Sequence, residues 1–235
     1  MIDKKSLENL LMDNKKIHEL NKLTQFELSE MFSKEFSIEK GYNQNNPHHC
    51  YDLLEHSLNT VCGINRCDLS LRDFLELRVA ALFHDVGKPF VAFEKNGRTV
   101  FYNHAGQSAR IALHLLPFMG YSDEEIKHII FYIAHHDDFI SLKCEYEIPP
   151  NNNNPYIKAI TMDNVLKIIK KTNDTENDTY PCINDFLLLL HLCRADARAQ
   201  SEKVIMNGYE VDSKERKLKR YEEIETVIKQ LNNHN

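Results

Sequence analysis

The chain has 235 residues and 42% hydrophobic content, enough for one large domain with a sizeable core. Lys and Arg number 29 against 35 Asp and Glu; the net charge of -6 argues against a protein whose main task is gripping a nucleic-acid backbone, while small anionic ligands remain compatible. The 6 cysteines form no Cys-x-x-Cys pair, no signal-peptide core opens the chain, and no apolar run approaches the roughly 20 residues of a membrane span, so a cytoplasmic protein with reduced thiols is expected.

In chain order the dominant period is helical. "TQFELSEMFSKEF" offers Thr24 as N-cap with Glu27 in the capping-box position, and places Leu28, Met31, Phe32 and Phe36 on one stripe. "SLRDFLELRVAALFHDVG" starts at Ser70 with Asp73 in that position, lines Leu75, Val79, Leu82 and Val86 along one face, and reaches Gly87, read as the left-handed residue past a helix end. "VAFEKNGRTVFY" carries Asn96-Gly97 at its middle, a hairpin signal. "SDEEIKHIIFYIAHH" opens with a Ser122–Glu125 box, turns Ile126, Ile129, Ile130 and Ile133 inward and closes on His135 and His136. Residues 149–155 and 172–181 read as surface loops, and "NDFLLLLHLCRADARAQ", apolar until Asp196, as a central helix. The C-terminal "KERKLKRYEEIETVIKQL" clusters Lys214, Arg216, Lys217, Lys219 and Arg220 among glutamates and reads as a solvated helix face; RNA contact is not favoured.

Ionisable residues gather where these helices end. Asp52 and His56 are four apart, which places carboxylate and imidazole on one helical face. His84 and Asp85 are adjacent, about 100° apart on a helix, and serve one ion only if the helix end faces it. A helix C-terminus favours a cation there, because its free carbonyls form the negative pole. With His104, His135, His136 and Asp196, these imidazoles and carboxylates suit Fe, Mn, Ni, Mg or Zn, and the lack of cysteine speaks against structural zinc. His49, just before the Asp52 helix, is within reach of the site but has no spacing argument, and His48, like the remaining histidines, reads as an ordinary polar residue.

The order of a histidine, a His-Asp doublet and a distant aspartate, here His56, His84 with Asp85, and Asp196, resembles the HD-domain superfamily of metal-dependent phosphohydrolases. "DLLEHSLNTV", "ALFHDVGKP", "GRTVFYNHAGQSA" and "LCRADARA" are most similar to the HD domain of bacterial CCA-adding tRNA nucleotidyltransferases, over about residues 47 to 205. The first 45 residues are too short for a nucleotidyltransferase domain, so CCA addition is not expected. His104, His135 and His136 resemble the extra ligands of binuclear HD proteins such as the HD-GYP cyclic-di-GMP phosphodiesterases, in which Asp52 would match a further acidic position. The GYP segment is missing, and cyclic di-GMP is not expected.

The resemblance implies an all-α helical bundle; with the hairpin read from Asn96-Gly97, near residues 91–102, the chain is expected to comprise an N-terminal helical extension (1–46), an HD domain (47–206) and a charged C-terminal helix (207–235). It implies one or two divalent ions held by His56, His84, Asp85 and Asp196, with His104, His135, His136 and Asp52 as outer candidates. Such ions lower the pKa of a bound water and neutralise phosphoryl charge. Asp85, Lys88 and His104 are the expected catalytic residues: Asp85 to bridge ions or orient water, Lys88 as a mobile positive charge on the phosphate, and a histidine of the outer group, His104 or His136, to protonate the leaving oxygen. The expected substrate is a small phosphorylated molecule, a nucleotide or phosphodiester, with 2',3'-cyclic nucleotides favoured. A non-catalytic nucleotide-sensing module and a di-iron oxygenase are the competing readings.

Overall fold

A computed structural model describes residues 1–46, 48–67, 69–95, 97–151, 154–172, 181–206 and 209–233. The protein is all-α. Its helices are α1 (Lys4–Leu11), α2 (Asn14–Glu19), α3 (Gln25–Met31), α4 (Lys34–Ser37), α5 (Leu53–Gly63), α6 (Leu71–Phe83), α7 (Lys88–Val91), α8 (His104–Met119), α9 (Asp123–His135), α10 (Met162–Thr172), α11 (Ile183–Arg198) and α12 (Ser213–Asn233). The expected boxes at Thr24–Glu27 and Ser122–Glu125 both form, each side chain bonding the other residue's backbone N–H. Ser70 accepts from the Asp73 N–H and starts α6 as expected.

The centre is made by α5, α6, α9 and α11, whose inward residues (among them Leu58, Leu77, Phe83, Ile129 and Leu189) are buried in one cluster. That cluster also takes Leu7, Leu11, Ile17 and Phe36 from the N-terminal helices, and the Phe32 and Phe36 rings each pack edge to face with Phe83. Arg78, buried on α6, ties the same segment down by donating to the Leu11 and Ile64 carbonyls and to Asn14 Oδ1. Helix α12 turns Tyr221, Ile224, Ile228 and Leu231 onto the body, so this helix is not solvated all round.

The expected hairpin is present as β1 (Phe93–Lys95) against β2 (Arg98–Val100), with Phe93 opposite Val100; Asn96 lies outside the described residues. Two further short pairs carry no signal in the sequence: parallel β3 (Leu142–Lys143) with β4 (Lys158–Ala159), and antiparallel β5 (Lys203–Met206) with β6 (Tyr209–Asp212). Pieces of two to four residues are too brief to show a period-2 pattern. Most of residues 172–181 and part of 149–155, both expected as loops, lie outside the described residues.

Gly87 has a different role from the expected one. Its φ of -79° is right-handed, and α6 already stops at Phe83. A Cβ there would lie 2.5 Å from the Ser108 nitrogen and 2.7 Å from the His104 oxygen, so the missing side chain lets the turn after α6 lie against the first turn of α8.

Candidate metal centre

Six chain segments deliver polar groups to one place. His56 comes from the middle of α5; His84 caps α6 and Asp85 follows it; Lys88 begins α7; His104 begins α8; His136 caps α9; and Asp196 lies in the last turns of α11. The carbonyl ends of α6 and α9 therefore approach the site, where their dipoles favour a cation. The left-handed Asn103 (φ 59°) turns the chain sharply into α8, a conformation asparagine tolerates better than most residues.

Each of the four histidines is oriented the same way. The Nδ1 atoms of His56, His84, His104 and His136 donate to the backbone carbonyls of Ala199, Ala81, Phe101 and Ile133, at 3.3, 2.8, 2.9 and 2.7 Å. A carbonyl only accepts, so each Nδ1 carries its proton and each Nε2 turns to the site as the ligating nitrogen. The buried Cys193 thiol donates to the His136 carbonyl and supports that residue's backbone.

The Nε2 atoms converge on two carboxylates. His56 Nε2 is 3.0 Å from Asp196 Oδ1 and 3.4 Å from Asp85 Oδ2, and His84 Nε2 is 3.2 Å from Asp85 Oδ2. On the other side of Asp85, Oδ1 lies 3.2 Å from His104 Nε2 and 3.8 Å from His136 Nε2. The ligand atoms of His56, His84 and Asp85 lie within 4.8 Å of one another, and so do those of Asp85, His104 and His136. Asp85 belongs to both groups.

These residues fit a divalent ion. His56 Nε2 and His84 Nε2 in one group and Asp85 Oδ1, which faces the other, are buried without a hydrogen-bond partner, at a cost of about 1–3 kcal/mol each if left so, and a cation held by each group would satisfy them. Imidazole nitrogen and carboxylate oxygen without thiolate match Fe, Mn, Ni, Zn or Mg. The local electrostatics point the same way. Burial opposes a charged Asp85, yet His84 and Lys88 hold its carboxyl well below the usual range; Asp196 is held down likewise by His56 and His84. Burial also opposes charge on His84, but Asp85 and Asp196 carry its imidazole up to about 10. The carboxylate pair demands positive charge, and a metal ion supplies it in place of protons.

Several expectations need revision. Asp52 is not on a helical face with His56: it is the extended N-cap of α5, and its carboxylate accepts from the Glu55 and Gly41 N–H groups. His135 points away from its neighbour His136, and its Nδ1 meets Asp138 Oδ2 at 2.7 Å. Lys88 is not a mobile lysine; it is buried, with Nζ 2.6 Å from Asp85 Oδ2 and 2.8 Å from Gln44 Oε1.

Sequence reasoning missed other residues. Asp137 Oδ2 stands 3.4 Å from His104 Nε2. Gln200 donates to both oxygens of Asp196 and accepts from Lys217 of α12. Glu39 is wholly buried, and burial together with nearby Asp85 pushes its carboxyl well above the usual range. His49 packs edge-on to His56 with ring centroids 5.1 Å apart, and burial holds it neutral, down to about 2. Asp137 had a signal in its place directly after His136, and His49 in its place just before the Asp52 helix; Gln200 and Glu39 come to the site through tertiary packing that no local spacing encodes.

The HD domain family model matches residues 53–179. The chain belongs to the HD domain family. HD domains form a superfamily of metal-dependent phosphohydrolases, and the ligand groups above are of the kind that superfamily uses. A CC-adding tRNA nucleotidyltransferase of Thermus thermophilus is 31% identical over 137 residues, which make up 57% of this chain and 31% of that protein. The match therefore spans about a third of that relative's length. Among the described residues no helix is long and apolar enough to cross a membrane.

Proposed function

We propose that this HD domain hydrolyses a small phosphorylated substrate, a nucleotide or phosphodiester with 2',3'-cyclic nucleotides foremost, at a centre of two divalent ions sharing Asp85. One observation carries the reading: two ligand groups flank a single buried carboxylate, with every histidine Nε2 turned inward. Asp85, His104, His136 and Asp196 line a cavity of about 360 Å³ that also has Phe101, Tyr102 and Ile140 on its walls. Aromatic and apolar walls beside convergent polar groups suit a nucleoside.

Divalent ions at such a centre polarise a phosphoryl oxygen and activate water. The protein's residues do the rest. Asp85 holds the two halves of the site in register. Lys88, fixed by Gln44 and Asp85, presents positive charge to the cavity without the entropy cost of ordering a free lysine. Asp196 is itself oriented by Gln200. His104 lies at the cavity between Asp85 and Asp137, where its Nε2 would hold an ion of the second group or, in the doubly protonated imidazolium, carry the proton for the leaving oxygen.

The test is turnover of bis-p-nitrophenyl phosphate and of 2',3'-cyclic nucleotides with Mn, Fe, Ni, Mg and Zn in turn. Chelator-sensitive release of a phosphomonoester supports the proposal. Inactivity with every metal, together with nucleotide binding, would replace it by a nucleotide-sensing module.

A further inference from the structure

A second cavity, of about 350 Å³, adjoins the metal-facing one and shares His48, Ile140 and Lys217 with it. Its lining holds four cations, Lys143, Arg216, Lys217 and Arg220, against the single carboxylate Glu147 among the described residues. Arg220 spends its charge on Glu147 through both Nε and an Nη nitrogen. The other three form no ion pair among the described residues. Lys143 Nζ donates to the Ile140 carbonyl, Lys217 Nζ to the Gln200 side-chain oxygen, and Arg216 is exposed.

In a chain of net charge -6, three cations without ion-pair partners among the described residues around one concavity give it a local positive potential suited to an anion. Like charges at this range repel, and the effect registers: burial and then Arg220 depress Lys143 to about 8, and burial lowers Lys217 too. His48, at the boundary of the two cavities, is kept neutral by burial and by Lys217, and its Nδ1 lies 3.2 Å from the Ser213 hydroxyl.

We infer that this second cavity is a phosphate subsite, so that the substrate carries another phosphate group beyond the one at the metal centre. The inference rests on the proposed phosphohydrolase reading and narrows it: a nucleotide phosphorylated at both its 3' and 5' ends, or the phosphorylated end of an oligonucleotide, engages both cavities, and a simple nucleoside cyclic phosphate fills one. Lys217 joins the two, since its Nζ holds Gln200, which holds Asp196. The subsite is built partly from α12, beyond the segment that matches the family model, and is therefore a property of this chain's own C-terminal region.

The experiment compares adenosine 3',5'-bisphosphate with adenosine 3'-monophosphate by calorimetry on the metal-loaded full chain, and 2',3'-cyclic AMP with its 5'-phosphorylated form in turnover. The extra phosphate should tighten binding by about tenfold or more, the gain from one added charge-assisted contact. In Lys143→Ala combined with Arg216→Ala that preference should collapse to about twofold, while Arg216→Lys retains most of it. Equal affinity for the two ligands, or an undiminished preference in a double variant of native circular dichroism, would overturn the subsite. Because binding is read separately from turnover, a preference that collapses in the variant without any hydrolysis upholds the subsite and refutes the phosphohydrolase reading instead.

Discussion

Replacing Gly87 by alanine probes how the centre is held together. The backbone of Gly87, φ -79° and ψ -17°, is one that alanine adopts freely, so no conformational strain enters. The effect is steric. The new Cβ would lie 2.5 Å from the Ser108 nitrogen and 2.7 Å from the His104 carbonyl oxygen, both backbone atoms of the first turn of α8, which cannot swing aside as a side chain would. Overpacking of this kind costs about 1–3 kcal/mol. The buried Gly87 N–H bond to Ser108 Oγ, 2.8 Å, is stretched or lost, adding about 1 kcal/mol or more. A total of about 2–4 kcal/mol lowers Tm by roughly 4–16 °C in a domain of this size. The start of α8 carries His104, so the displacement should also weaken the second ligand group while the first, on α5 and the end of α6, persists. Differential scanning calorimetry and elemental analysis read the two effects. A variant with parental Tm and parental metal content would refute the claim that the missing Cβ sets the distance between the doublet and α8.

Further substitutions separate neighbouring residues. His135→Ala should leave metal content unchanged, because this ring bonds Asp138 outside the site, whereas His136→Ala should lower it; mass spectrometry of the metal-loaded proteins decides. Asp52→Ala should cost about 1 kcal/mol as a lost N-cap, read by urea denaturation, with metal content intact and Asp52→Asn recovering most of the loss. Lys88→Met should retain bound metal and lower kcat, since Lys88 adds charge beside Asp85 and is not a ligand in either group. On α9, burial opposes ionisation of Glu125, but Lys4 and Ser122 hold its carboxyl down at about 2 from an ordinary 4.5. Its contribution is present above about pH 4.5 and fades as pH falls towards 2, so the stability gap between parent and Glu125→Gln should narrow over that window in acid-titrated urea melts.

Much of this centre is legible in the amino-acid sequence because helix capping is local. Ser70, Thr24 and Ser122 announce where helices begin, and the apolar stripes then fix which ends carry His84 with Asp85 and His136. The same logic misplaces Asp52, for an aspartate before an apolar run is both a cap and, by spacing alone, a neighbour of His56. It does not choose between His135 and His136 either, since the exact end of α9 decides which imidazole faces inward. Gly87 resembles a left-handed terminus because glycine signals both conformational freedom and missing bulk, and only the packing of α8 shows which applies. Gln200, Lys217 and Glu39 are distant from the doublet in sequence and reach it through the crossing of whole helices, which no periodicity encodes.

The central claim is that one buried carboxylate, Asp85, joins two ligand groups. The most direct measurement is metal per chain, by inductively coupled plasma mass spectrometry, on the parent, His136→Ala, His56→Ala and Asp85→Ala after loading with Mn or Fe and removal of free ion. About two ions are expected in the parent, about one in each histidine variant and close to none in Asp85→Ala, since a carboxylate shared by both groups cannot be lost from one alone. Full retention of metal by Asp85→Ala in a folded protein would contradict the claim.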